Sequence, residues 1–410
     1  MLNKIERHLK TKIIPFWKKL NDDEYDGFFG SVDSMTLEID KFAHKGLVQQ
    51  ARMLWSFSAM NNFFHSDEYL HYMNSAYRFL SKTLKDTTHH GYYWLSNYQG
   101  NIIDNRKITY GQGFVIYALS EYYKATQDSS AIEEAMTLFS LLEIQAKDPL
   151  TNAYWEEFDE KWQKTDCLVL GDGVFNTVYT LNTTLHILEA YTNLYDATKN
   201  DRVRHSVLSL LKFIKNHLYH PQTKSLYCYL DQQLQPVSPM VSYGHNIEAA
   251  WLIDAACEII NYHDDFIDTM TRDLVEEVHL DGFNNQYVYN HRINEIRDDS
   301  IIWWVQSEAL TGFFNHFQKT RNLDYLHAVE QVWDTINQCL VDPRVEGEWF
   351  WSCSDYSKPN FDRGQAELWK TPYHNSRALM QMLERMKNDA YTSEVYRTSK
   401  PTETAPQTKK

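Results

Sequence analysis

No stretch of the chain approaches the ~18 consecutive apolar residues of a bilayer-crossing helix, so no membrane partner is expected. Segment 1–20 mixes Lys, Glu and Arg with apolar residues and has no apolar h-region. No export signal is expected there, and a cytoplasmic location is. Cysteine is scarce. Cys167, Cys228, Cys257, Cys339 and Cys353 are scattered, odd in number and without a CxxC pair. That excludes a disulfide framework and fits a reducing compartment. Basic blocks are missing too, with 55 acidic against 40 basic residues and a formal charge of -15. Nucleic acid and anionic membranes are therefore poor partners. There is no HExxH, no Cys/His cluster and no dense Asp loop, so no metal is expected. Gly111-Gln112-Gly113 lacks the strand, the third glycine and the βαβ context of a dinucleotide loop. No phosphate loop is found, and no cofactor is expected.

The chain is not short of apolar residues. At 43% of 410 positions they suffice for a large core and exclude wholesale disorder. Aromatics are plentiful, with 27 Tyr and 12 Trp, which suits either large aromatic cores or the apolar faces of sugars. The length alone would suggest two or three domains, but the chain repeats itself. Six aromatic segments recur: 27–30, 91–94, 153–155, 225–229, 282–289 and 347–351. Most are followed by turn-like residues such as Gln99-Gly100-Asn101, and they read as hairpins.

Between these segments the apolar period is helical. Helices are expected over 2–20, 44–65, 67–85, 110–126, 128–147, 176–198, 201–217, 244–261, 265–279, 300–318, 322–340 and 372–388. Breaks within pairs are short and carry capping residues, as in His65-Ser66-Asp67, and breaks between pairs hold the hairpins. Twelve helices in six pairs predict an all-α fold. It is one (α/α)6 barrel, with six inner and six outer helices and short β-hairpins at one end. An open helical solenoid is the alternative. The barrel is expected to span 1–390 as a single domain. Residues 391–410 lose periodicity and read as a mobile tail.

The six helices that follow hairpins carry polar groups where a core helix should be apolar. These are Gln49, Arg52 and Trp55; Tyr110 and Gln112; Asn182 and His186; His245 and Glu248; Trp304 and Glu308; His374 and Arg377. Most are spaced i,i+3 or i,i+4 and so share one helix face. If these are the inner helices, their polar faces meet at one mouth of the ring, where helix N-termini favour developing negative charge.

Seven stretches taken in order resemble the N-acylglucosamine 2-epimerase family, in its cellobiose 2-epimerase branch. They are 45–58, 110–114, 182–191, Tyr243-Gly244-His245-Asn246-Ile247-Glu248-Ala249, 303–308, 348–352 and 369–377. The resemblance implies an (α/α)6 barrel and cofactor-free inversion at carbon 2 of a reducing-end aldose. It implies that His245 and His374 face each other across the sugar, with His186 as a third histidine. Glu248 and Arg52 match the family's glutamate and arginine. Trp304 and Trp369 match its sugar-stacking residues. Two positions depart from the family pattern: Thr371 where a Cys is common, and Thr184 where a His is.

The chemistry explains these residue types. A carbon 2 proton becomes acidic only once carbon 1 is a carbonyl, so the ring must open. Deprotonation gives a cis-enediolate, and inversion needs a proton donor on the opposite face. Two imidazoles suit this. Arg52 can hold the enediolate oxygen, and Glu248, one turn from His245, can orient that ring or hold its imidazolium form. The expected catalytic residues are thus His245, His374, His186 and Glu248. Arg52, Tyr110, Asn182, Trp304, Glu308 and Trp369 are expected to bind substrate. The expected partner is a small sugar, bound by a monomer or weak homodimer. The activity expected is 2-epimerisation of cellobiose- or mannobiose-type β-1,4 disaccharides. Alternatives are epimerisation of free mannose and glucose, or aldose–ketose isomerisation. A glycoside hydrolase or a non-catalytic sugar binder is a more distant option.

Overall fold

The computed structural model describes residues 1–356, 358–389, 391 and 392. All twelve expected helices are present. We number them α1 (2–18), α2 (Leu47–Phe64), α3 (67–84), α4 (Thr109–Thr126), α5 (Ser129–Gln145) and α6 (Leu181–Thr198). The others are α7 (201–218), α8 (Tyr243–Ile259), α9 (265–282), α10 (Trp303–Thr320), α11 (323–340) and α12 (Tyr373–Asn388). Helices α2, α4, α6, α8, α10 and α12 pack each on the next, and α12 packs back on α2. This closes the ring and excludes an open solenoid. Each remaining helix packs outside, mainly against one inner helix.

The inner helices are enclosed on all sides. In α2 every residue from Leu47 to Asn61 is buried. The outer helices are two-faced, as α9 shows with Ile267, Met270, Leu274 and Val275 on its buried side. Four outer helices end in a π-turn, at 80–84, 214–218, 278–282 and 336–340. In three of them, Leu80/Leu84, Ile214/Leu218 and Ile336/Leu340, a buried apolar residue stands at each end of the turn.

Local hairpins are present, as Tyr219–His220 with Ser225–Leu226 and His291–Ile293 with Ile296–Asp298, and other short strands join neighbouring repeats. Lys45–Gly46 pairs with Leu95–Ser96, Lys107–Ile108 with Glu157–Phe158, and Tyr179–Thr180 with Tyr229–Leu230. The last pairing corrects the expected start of α6 from 176 to Leu181: Tyr179 and Thr180 stay extended to bond a strand about fifty residues on. Ile301–Ile302 likewise pairs with Ser352–Cys353, so α10 starts at Trp303. The seam is stitched by Val32, whose N–H donates to the Ala366 carbonyl (3.1 Å) and whose carbonyl accepts from Gln365 (3.0 Å).

Inner-helix amides hold the hairpins down. Gln50 bonds both backbone groups of Phe28, Gln112 those of Tyr92, and Gln306 those of Val288. Gln112, grouped by its spacing with the mouth residues, is therefore a hairpin anchor. The geometry is tight at Gly27 (φ +72°), where a Cβ would lie 2.7 Å from Gln50 Oε1. Replacing Gln306 by Leu is expected to cost about 1–3 kcal/mol for each backbone group left unpaired. Denaturant unfolding measures this, and an unchanged midpoint would show that the anchor is dispensable. At the C-terminal end, Thr392 is buried and its Oγ1 donates to the Met386 carbonyl (3.1 Å). Tyr391 and Thr392, assigned by sequence to the tail, thus contact the barrel. Residues 393–410 lie outside the described residues.

Candidate active site

The inner helices run parallel. Their first halves line a cavity of about 410 Å³ at the hairpin end, and their second halves line a separate chamber of about 530 Å³ at the other end. Nine of the ten residues singled out by sequence border the first cavity: Arg52, Tyr110, Asn182, His186, His245, Glu248, Trp304, Trp369 and His374. Glu308 does not. It sits behind His374, where its Oε1 accepts from His374 Nδ1 (2.7 Å) and its Oε2 from Trp251 Nε1 (3.1 Å).

Three imidazoles reach this cavity, each held through Nδ1 by a different partner. His374 Nδ1 bonds Glu308. His186 Nδ1 lies 2.9 Å from Glu189 Oε2. His245 Nδ1 lies 2.8 Å from the hydroxyl of Ser242, the residue that also caps α8. Ser242, rather than Glu248, thus orients His245. The Trp304 ring contacts both His245 (4.9 Å between centroids) and His374 (5.6 Å). Burial pushes all three imidazoles below their ordinary value. His245 falls to about 3, with the neighbouring His186 adding to the effect. His374 lies well below the ordinary value through burial and the charges of Arg52 and Arg377. In His186 burial outweighs the opposing pull of Glu189. All three are therefore neutral near pH 7.

Beneath them lies one guanidinium among three carboxylates. Arg377 Nη2 donates to Glu248 Oε1 (2.7 Å) and Glu308 Oε1 (2.8 Å), and Nη1 donates to Glu189. Burial and the nearby Glu308 push Glu248 well above the usual carboxylate range. Burial raises Glu308 as well. Glu189 behaves oppositely: burial favours its neutral form, but Arg377 and the His186 bond outweigh that and hold it ionised. Among the described residues, Glu248, Glu308 and His374 bring ligand-type atoms within 4.8 Å of one another. Arg377 already donates to both of those carboxylates.

Arg52 is the contrasting cation. It donates to the Trp369 carbonyl (3.0 Å) and the Tyr110 hydroxyl (2.8 Å), and it lies over the rings of Phe114 (4.4 Å) and Tyr373 (4.7 Å). Its Nε is buried without a partner, and its hydrogen bonds go to a carbonyl and a hydroxyl rather than to a carboxylate. A buried cation facing a cavity without a counter-charge is expensive unless an anion arrives there.

The family model of N-acylglucosamine 2-epimerase matches residues 27–378. The chain belongs to the N-acylglucosamine 2-epimerase family. A cellobiose 2-epimerase of Dictyoglomus turgidum is 38% identical over 387 residues, covering 94% of this chain and 98% of the relative. One from Ruminococcus albus is 35% identical over 391 residues, covering 94% and 99%. The solved cellobiose 2-epimerase of Bacillus thermoamylovorans B4167 superposes with a TM-score of 0.91 at 37% identity, covering 94% of this chain and 99% of that one. A D-mannose isomerase shares the fold (TM-score 0.82, 19% identity). The fold is the (α/α)6 barrel, and the chain is a carbohydrate epimerase, an isomerase by class.

Sequence reasoning missed several residues around this epimerase-family cavity. Val169, Leu170 and Asp172 reach it from a loop between α5 and α6 that has no apolar period. Asp172 accepts from the Tyr229 hydroxyl (2.8 Å). Arg363 lies 3.5 Å over the Trp351 ring, and both border the cavity. Trp303 stands beside Trp304 at the start of α10 and lines the wall. Glu189 was within a recognised stretch, but a glutamate on a helix ordinarily reads as solvated. Among the described residues no helix is long and apolar enough to cross a membrane.

Proposed function

We propose that the protein inverts carbon 2 at the reducing-end residue of a β-1,4-linked disaccharide such as cellobiose or mannobiose, using its own side chains as acids and bases. One observation carries this reading. Three neutral imidazoles from three helices surround a Trp-lined cavity that also holds a cation without an anionic partner. Neutral imidazoles are bases. Arg52 and the convergent helix N-termini suit the negative charge of an enediolate. The Nδ1–H bond to Glu308 leaves His374 with a lone pair on Nε2 and a carboxylate ready to stabilise the imidazolium it becomes. Glu248, held protonated by burial, can serve as the acid when the sugar ring opens. His245 and His374 are the pair assigned to the two faces of carbon 2: one takes its proton as a neutral base, and the other, charged by the O1 proton released as the ring opens, returns a proton on the opposite face. Trp304, Trp369 and Asn182 position the sugar. Cellobiose 2-epimerases at 35–38% identity over nearly the whole chain support the disaccharide.

The test is direct. Cellobiose, mannobiose, glucose and mannose are incubated separately, and all products are identified by chromatography. The expected product is the carbon 2 epimer of the disaccharide with its glycosidic bond intact. A ketose, or released monosaccharide, would overturn the proposal.

The lowered imidazoles predict the pH profile. A base whose pKa is depressed stays competent as the pH falls and is lost only near its own value. The acid limb of kcat/KM should therefore lie well below 6.5, the value of an unperturbed imidazole. A limb at or above 6.5 would contradict the burial argument.

A further inference from the structure

Two of the site's imidazoles are tied to one cation by matching carboxylates. On one side Glu308 accepts from His374 Nδ1 (2.7 Å) and from Arg377 Nη2 (2.8 Å). On the other, Glu189 Oε2 meets His186 Nδ1 (2.9 Å) and Glu189 Oε1 accepts from Arg377 Nη1. The Tyr373 hydroxyl donates to Glu189 Oε2 as well (2.5 Å). Glu189 is 6% exposed, so every acceptor site it uses is committed inside the protein. Tyr373 in turn stands beside His374, with ring centroids 4.6 Å apart. No part of the proposed chemistry assigned Glu189 a task.

We propose that Glu189 is a positioning residue: it holds His186 with Nδ1–H toward its carboxylate and so presents the Nε2 lone pair to the sugar. The inference rests on the epimerase reading for its catalytic consequence and on geometry alone for the tautomer. An ionised carboxylate accepts only, so it selects the Nδ1–H form of a neutral imidazole. A glutamine could offer an oxygen to His186 and Tyr373, but its amide N–H groups would then face Arg377, which donates.

The second chamber makes this testable in an unusual way. Glu189 and Arg377 form its floor, with Trp55, Tyr117, Glu121 and Trp251 around them. The front cavity and the rear chamber thus lie on opposite sides of the His186–Glu189 pair, His186 facing the sugar and Glu189 the rear. Removing the Glu189 side chain opens a hole that joins the rear chamber. A small carboxylate can enter there without passing the sugar.

Glu189→Ala is expected to lower kcat by about 10- to 100-fold, the range seen when the partner that orients a functional imidazole is lost. KM should change little, because Glu189 does not line the sugar cavity. Added formate should restore kcat in a saturable way without raising KM for the sugar. The isosteric Glu189→Gln should lose kcat and gain nothing from formate. In proton NMR, a downfield His186 Nδ1–H resonance, assigned by its loss in His186→Asn, should vanish in Glu189→Ala and return with formate. Wild-type kcat in either variant would overturn the proposal. So would a persistent resonance, or a kcat loss that formate leaves unchanged. The NMR arm needs no turnover. If the wild-type protein epimerises no sugar, the functional reading fails while the tautomer assignment is still judged on its own.

Discussion

Replacing His374 by Ala should lower kcat by about 10²- to 10⁴-fold, the typical loss for a missing general acid or base. The barrel should survive, because His374 occupies the wall of a cavity rather than a packed layer. Its removal leaves Glu308 still bonded to Arg377 and Trp251. Substrate affinity should fall less than kcat, since Trp304, Trp369 and Arg52 keep their places. His245→Ala should behave alike, and more cleanly in stability terms, since its Nδ1 partner is only the Ser242 hydroxyl. Single-turnover rates with cellobiose check both variants. Near-normal turnover in either would remove that histidine from the mechanism.

Arg377→Met is expected to be the most destabilising single change. The guanidinium is 3% exposed and pairs Glu189, Glu248 and Glu308. Removing one partner of a buried ion cluster costs about 3–5 kcal/mol, because the remaining charges stay buried without compensation. The loss should depend on pH. In the wild type Arg377 keeps Glu189 ionised; in the variant burial lifts its folded pKa above the unfolded value. A group raised in this way favours folding below its unfolded pKa, and that stability is lost as the pH rises through the folded pKa. The gap between variant and wild type should therefore narrow from about pH 8 toward about pH 5. Denaturant midpoints across that range measure it. A gap below about 1 kcal/mol, or one independent of pH, would show that the cluster relaxes or hydrates.

Much of the architecture was legible because inner and outer helices obey one apolar period, broken by short caps within pairs and long aromatic segments between them. The errors share a cause. Tyr179-Thr180 and Ile301-Ile302 continue the helical pattern, yet they are extended because their hydrogen-bond partners come from the next repeat. Local sequence carries no trace of that pairing. The mouth residues were legible for the opposite reason: Arg52, His186, His245 and His374 are polar groups on helices otherwise enclosed by apolar neighbours. Spacing could not say which way each pointed. Gln112 turned out to clamp a hairpin, Glu308 to stand behind His374, and Glu248 to bond Arg377 rather than His245. Asp172 and Arg363 sit on loops without periodicity, and only the folded chain brings them to the cavity.

The central claim is that protons leave and join carbon 2 on opposite faces of an enediolate, through imidazoles that exchange with water. Turnover of cellobiose in heavy water tests it most directly, with the product analysed by NMR at carbons 1 and 2. The account predicts an epimer that carries deuterium at carbon 2, with the glycosidic bond intact and label appearing more slowly in Arg52→Lys. An epimer formed without any solvent label, or label at carbon 1 of a ketose, would contradict it.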